Sequence, residues 1–269
     1  MAGLRWTVSA PVVATRGWSN SRHVPYQQAQ ADVPDSGGAS ITEGVERVTT
    51  RTTKAPRRTP HKRDAEATRQ RILDAARHAF SQHGLSGARI DQIARTAEAN
   101  VQMIYRYFGG KEGLYLAALE DTYARIRALE RQLDLAALPP ADGMRRLVEF
   151  TFDYLRDNPD FVAIIRNENI ARGRFVQELP MVSDTTLPLL ETIDDLLARG
   201  HESGVFTAEI DAAQLYVTIL SLSITHLAQR HTLSAMFQRD FGDAAWLAER
   251  RTHAIDVVMT YLTAPRPDL

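Results

Sequence analysis

Apolar side chains recur at three- and four-residue intervals through most of this chain, and that spacing constrains its fold more than any single motif. Ile72, Leu73, Ala76, Ala79 and Phe80 mark one face of a helix that stops at Gly84, where glycine accepts the backbone turn of a helix end. Similar patterns cover residues 90–97, 100–108, 111 to beyond 129, 144–156, 159–171, 186–203, 212–230 and 243–262. Pro139-Pro140 closes the long segment that starts at Lys111. No hairpin dipeptide stands between alternating apolar runs, so strands are not expected. No repeat of fixed period appears, which disfavours a helical solenoid. The expected fold class is all-α.

Residues 1–64 lack this periodicity and gather Pro, Gly, Ser, Thr and Arg. They read as a disordered basic extension, or as sequence upstream of a start near Thr59. Up to Arg63 the chain has ten Lys and Arg against four Asp and Glu, although its formal net charge is only -1. Such asymmetry permits nucleic-acid contact at one end. The chain has no cysteine, which excludes disulfides, thiolate catalysis and cysteine-based zinc sites. No apolar run approaches the ~20 residues of a membrane-spanning helix. The short apolar run near the start is broken by Pro11 and makes a poor signal peptide.

The segment 90–114 is the most specific. Ile90, Ile93, Ala94 and Ala97 form the inner face of a short support helix. Asn100 is a good N-cap for the next helix, because its side-chain oxygen can accept a free amide hydrogen bond. Ile104 and Phe108 then face inward, leaving Val101, Gln102, Met103, Tyr105, Arg106 and Tyr107 outward. A support helix, a tight turn and a second helix with an outward polar face are what a helix-turn-helix presents to a major groove. Gln102 can make paired hydrogen bonds to an adenine edge, and Val101 or Met103 can touch a thymine methyl. Tyr105, Arg106, Tyr107 and Lys111 offer donors to phosphates, which fix register without reading sequence.

The runs Arg71-Ile72-Leu73-Asp74-Ala75-Ala76, Phe80, His83-Gly84, Ile90-Asp91-Gln92-Ile93-Ala94 and Ile104-Tyr105-Arg106-Tyr107-Phe108-Gly109-Gly110-Lys111-Glu112-Gly113-Leu114 closely resemble the TetR family of transcriptional regulators. The resemblance implies a three-helix DNA-binding domain over residues 65–112 and a helical ligand-binding and dimerisation domain over 113–269. It puts base reading on Val101, Gln102 and Met103. Phosphate contact falls on Arg89, Tyr105, Tyr107 and Lys111, with Arg106 in either role. The implied protein is a cytoplasmic, ligand-responsive homodimer, a repressor on a palindromic double-stranded operator. Its small-molecule effector is unidentified, and no cofactor or membrane contact is expected. In similar proteins the last two long helices of the core pair across a two-fold axis, and the best candidates here are 186–203 and 212–230. Lys54, Arg57, Arg58, Lys62 and Arg63 form a basic arm before the first helix. In similar proteins such an arm can reach the minor groove; an ordinary solvated tail is the other reading.

Two positions depart from the family pattern. Glu98 holds a turn position usually given to glycine, with a steric cost and a carboxylate near DNA. Arg89 replaces the usual threonine cap, exchanging a cap for a positive phosphate partner.

Beyond residue 114 no catalytic arrangement emerges. There is no G-x-S-x-G elbow and no phosphate-binding glycine loop. His226 and His231 are five apart, which does not align them as metal ligands on one helix face. No enzyme activity is expected, and His226 reads as an ordinary helical polar residue. The polar cluster Arg166, Asn167, Glu168, Asn169, Arg172 and Arg174 fits a pocket wall, a solvated face or an interdomain hinge. Tyr123, Phe152, Tyr154, Phe161 and Phe175 could line a pocket, although helically spaced aromatics are usually core. A DNA-bound protein-interaction adaptor of the same fold, with no small-molecule effector, is the rival function. An apolar cavity beyond residue 114 would favour the sensor, and a filled core with an exposed patch the adaptor.

Overall fold

The computed structural model describes residues 62–265, side chains excepted at 62, 63, 181 and 183. The expectations for the extension up to residue 61, including Lys54, Arg57 and Arg58, lie outside the described residues, as do the side chains of Lys62 and Arg63. Every regular element among the described residues is helical. In order these are α1 (Lys62–Gly87), α2 (Ile90–Thr96), α3 (Val101–Phe108), α4 (Lys111–Arg131), α5 (Pro140–Asp157), α6 (Pro159–Ile170), α7 (Pro180–Glu202), α8 (Ala212–Ala228), α9 (Arg230–Phe237) and α10 (Ala244–Thr263). Single 3-10 turns lie at Leu135–Ala137 and Val176–Glu178.

Local chemistry sets most of these limits. Pro140, Pro159 and Pro180 each open a helix, where the missing amide hydrogen costs nothing and φ is already helical. Asp211 and Asp243 cap α8 and α10 by accepting from the Gln214 and Trp246 amides at 2.8 and 2.9 Å. The helix expected to stop at Gly84 does break there, at φ 62°, before one further helical turn. The segment read as 186–203 opens earlier, at Pro180, and continues through Pro188. The segment read as 212–230 is followed after Gln229 by α9, which the periodicity did not separate.

Three apolar clusters hold the helices together. Ile72, Phe80, Ile93, Ile104, Leu114 and Leu119 lie in the first, which also takes Ile164 and Phe175 from and beyond α6. Leu147, Phe152, Ile193, Leu196, Leu215, Ile219, Val258 and Leu262 tie α5, α7, α8 and α10 into the largest. The third joins Ile126 to Tyr154, Leu155, Phe161 and Val162. Each fully buried Ile, Leu or Phe contributes roughly 1.5–3 kcal/mol relative to exposure. Helix α4 supplies Leu114 and Leu119 to the first cluster and Ile126 to the third. One rigid element therefore runs from the N-terminal helices into the C-terminal body.

Candidate nucleic-acid interface

The turn between α2 and α3 is held from three sides. Ala97 is buried and its amide continues α2 by bonding Ile93 O at 2.9 Å, while the Ala99 amide folds back to Ala94 O at 2.9 Å. Glu98 between them takes φ 49°, the left-handed conformation in which a side chain is strained. Asn100 caps α3 by accepting from the Gln102 amide at 2.9 Å. From α1, Arg71 Nε donates to Ala97 O at 3.2 Å, satisfying a carbonyl that the end of α2 leaves free. The motif's residue pattern alone assigns Arg71 no role, because its acceptor lies 26 residues away.

The end of α3 is equally constrained. Gly109 is its C-cap at φ 75° and bonds Tyr105 O at 2.9 Å. Gly113 sits where α4 crosses the end of α3, and a Cβ there would overlap the carbonyl oxygen of Phe108. The two helices can meet at this angle only around a residue with no side chain.

Along α3, Ile104 is buried, while Gln102, Tyr105 and Arg106 are exposed, Tyr105 to 56%. Val101, Met103 and Tyr107, expected fully outward, are half-buried against the first cluster. The correction has a simple cause: an eight-residue helix lying in a shallow seat touches its support along both flanks of its inner face. Phe108, expected inside, is half-buried with the Arg69 guanidinium 5.4 Å from its ring centre.

Lys111 Nζ donates to Ser86 O at 3.0 Å, so the lysine ties the start of α4 to the end of α1. Arg89 is exposed and makes no cap; it pairs with Asp91, Nε to Oδ1 at 3.2 Å. Arg95 reaches the same carboxylate at 3.2 Å. Exposed pairs of this kind contribute ~0–1 kcal/mol, so either guanidinium can exchange Asp91 for a phosphate.

The polar cluster around α6 divides, Asn167, Glu168 and Arg174 reaching α1 or α4 while Arg166, Asn169 and Arg172 form a solvated face. Asn167 Nδ2 donates to Phe80 O at 3.1 Å, and Ser81 Oγ donates to Asp160 Oδ1 at 2.6 Å. Glu168 is buried; its Oε1 accepts from Tyr115 OH at 3.0 Å and its Oε2 from the Phe175 and Val176 amides, each at 3.1 Å. Burial and the adjoining Glu168 push the Tyr115 phenol up. Arg174 reaches Glu112 at 3.8 Å and covers the Phe175 ring. Arg166, Asn169 and Arg172 are exposed. Phe152, Tyr154, Phe161 and Phe175 are core, and Tyr123 is half-buried.

Two buried polar features had no sequence signal. His226 is 3% exposed, with its ring stacked on Phe152 and edge-on to Trp246, and neither nitrogen has a hydrogen-bond partner. Burial, with Arg250 nearby, pulls its pKa down to about 4. Arg127, Glu130 and Tyr216 form the second, joining α4 to α8: Arg127 Nη2 donates to Tyr216 OH at 3.1 Å, and that hydroxyl lies 3.4 Å from Glu130 Oε1. No group of three or more His, Asp or Glu among the described residues could hold a metal ion, and no helix among them is long and apolar enough to cross a membrane.

Comparison with known proteins agrees with this architecture. Residues 72–118 match the model for bacterial regulatory proteins of the tetR family, and residues 140–258 match the tetracyclin repressor-like C-terminal domain. The chain is 36% identical over 198 residues to the HTH-type transcriptional repressor NicS of Pseudomonas putida, covering 72% of this chain and 92% of that protein. It is 32% identical over 163 residues to the HTH-type transcriptional repressor SCO4008 of Streptomyces coelicolor, covering 60% and 79%. Among solved structures it is similar to the putative transcriptional regulator SCO4942 from Streptomyces coelicolor, with a TM-score of 0.56, 25% identity and coverage of 74% and 99%. With a helix-turn-helix built on α2 and α3 and a matching C-terminal helical domain, the chain belongs to the TetR family of DNA-binding transcriptional regulators.

Proposed function

We infer that this protein is a dimeric repressor that inserts α3 of each subunit into the major groove of a palindromic operator. Gln102 reads an adenine edge, with Val101 and Met103 against thymine methyls. Arg89, Tyr105, Tyr107 and Lys111 hold phosphates, and Arg106 serves either role. The observation that carries this reading is the exposure of Gln102, Tyr105 and Arg106 on a helix seated by Ile104. The domain division is then reading head 65–112 and sensor body 113–269, bridged by α4.

The dimer face is assigned to α8 and α10, the last two long helices. Their outward sides carry Val217, 58% exposed, with Val257 and Tyr261 among the exposed small residues Ala213, Ser221 and Thr225. The segment 186–203 remains the other candidate partner of 212–230; all three helices give an inner face to the core, and the choice of α10 rests on the exposed Val257 and Tyr261. Small side chains on a two-fold face let helices approach closely.

A cavity of about 290 Å³ between α4 and α7 favours a sensor over an adaptor. Ligand there acts on α4, whose first residue, Lys111, follows the recognition helix. The effect is limited to the ligand's differential affinity for two states, typically ~1–3 kcal/mol. Binding-site selection from random DNA tests the function: a palindrome with half-sites one helical turn, or a multiple, apart is expected. Recovery of no sequence above background would overturn it.

A further inference from the structure

The cavity between α4 and α7 has an unusual floor. Arg127 and Glu130 are 6% and 5% exposed, and both line it. Arg127 Nη1 lies 2.7 Å from Glu130 Oε2. The approach is not that of a hydrogen bond, so Arg127 Nε and Nη1 and Glu130 Oε2 have no hydrogen-bond partner. Charge-bearing groups buried in this way are normally both paired and fully hydrogen-bonded.

The apolar walls are Leu135, Ala136, Pro188 and Leu189, and the rim carries Arg131, Asp134 and Asp184, all exposed. Burial pushes the Glu130 carboxyl up to about 7, against the pull of Arg127 and the Tyr216 hydroxyl. The Glu130 carboxylate at 2.7 Å is the counter-charge of Arg127, yet the buried Nε and Nη1 positions of the guanidinium stay without a hydrogen-bond acceptor.

We propose that this cavity is a binding site for a small organic monocarboxylate, its carboxylate on Arg127 and its apolar body against Leu135, Pro188 and Leu189. At the rim Asp134 and Asp184 outnumber Arg131 and oppose negative charge, so the ligand carries no more than the one carboxylate that Arg127 receives. The volume of about 290 Å³, just under the ~300–1,000 Å³ common for ligand pockets, restricts the body to about the size of one ring or a short chain. This proposal deepens the sensor reading and rests on it only for the regulatory consequence.

Hexanoate, benzoate and phenylacetate, each beside its matched carboxamide, are the probes for the full chain by calorimetry and thermal shift. At least one acid binds and raises Tm, with about tenfold or greater preference over its amide, as expected for a charge-assisted contact. Arg127→Gln abolishes the preference. Ala136→Trp, at an exposed lining position that leaves Arg127 intact, blocks binding without lowering Tm. The proposal is overturned if none of the acids binds, if amides bind equally well, or if acid binding survives Ala136→Trp. Operator affinity on the same samples separates the two readings. Arg127-dependent binding with unchanged DNA affinity keeps the site and rejects its regulatory role. Release by an uncharged compound alone keeps the sensor and rejects the carboxylate site.

Discussion

Tyr115 of α4 donates its phenolic hydrogen to Glu168 of α6 across 3.0 Å, and the other oxygen of that carboxylate gathers the Phe175 and Val176 amides. Phe80 and Phe175 pack edge-on against the Tyr115 ring at 4.9 and 5.0 Å. This buried bond thus ties the first turns of α4 to α6, beside the Asn167–Phe80 and Ser81–Asp160 bonds that join α6 to α1. Tyr115→Phe keeps the rings but leaves a buried carboxylate oxygen unpaired, which costs ~1–3 kcal/mol. Thermal denaturation should show a correspondingly lower Tm; an unchanged midpoint would show that the joint does not depend on the bond.

Base and phosphate contacts separate by their salt dependence. Gln102→Ala should weaken operator binding by ~1–3 kcal/mol and relax preference at one base pair of each half-site. Arg106→Ala and Arg89→Ala should each weaken binding to all sequences, lowering the slope of log affinity against log salt by about 1 where the contact is to phosphate. Fluorescence anisotropy across a salt series reads both effects. Unchanged affinity and slope in Gln102→Ala and Tyr107→Phe would remove α3 from the interface.

Glu98 occupies φ 49° in the turn before α3. A left-handed backbone costs most L-residues ~1–2 kcal/mol, and glycine there loses more chain entropy on folding. Glu98→Gly is therefore expected to stabilise the fold by up to about 1 kcal/mol. It also removes an exposed carboxylate beside the DNA-facing helix, so operator affinity should rise most at low salt. Chemical denaturation and anisotropy at two salt concentrations test the two effects separately.

His226 stays neutral in the fold, its pKa pulled down to about 4 by burial with Arg250 adding to the effect. The unfolded chain takes up a proton near pH 6.5, so acid favours unfolding. The stability this residue contributes is complete above about pH 6.5 and is lost as the pH falls towards 4, by on the order of 3 kcal/mol. His226→Phe retains a ring between Phe152 and Trp246. Its stability relative to the parent should grow steadily from pH 7 to pH 4 in denaturant titrations. A constant difference across that range would mean that His226 does not titrate with folding.

Val217 stands outward on α8 at 58% exposure. Val217→Glu should leave the subunit folded, since the side chain is not in its core. Across a two-fold axis it brings like charges together without partners. Light scattering should then report a monomer, with a parallel loss of operator affinity; a dimer of unchanged stability would exclude this face.

Helix periodicity, proline starts and side-chain caps are properties of neighbouring residues, so the sequence already specified most helices and the α2–turn–α3 unit. Asn100 caps α3 as the residue order predicts, and Glu98 bears the left-handed backbone that the family resemblance implies at its position. The same locality explains what it missed. No proline or glycine separates α8 from α9, and the half-burial of Val101, Met103 and Tyr107 depends on the depth of a seat built by other helices. Arg71 on Ala97 O, Lys111 on Ser86 O and Tyr115 on Glu168 join positions 26, 25 and 53 residues apart. Arg127 meets Tyr216 over 89 residues. Short-range spacing determined where the helices are and which face of α3 is polar. Tertiary packing alone decided which charges are buried together, because burial and low dielectric arise only when distant helices close over them.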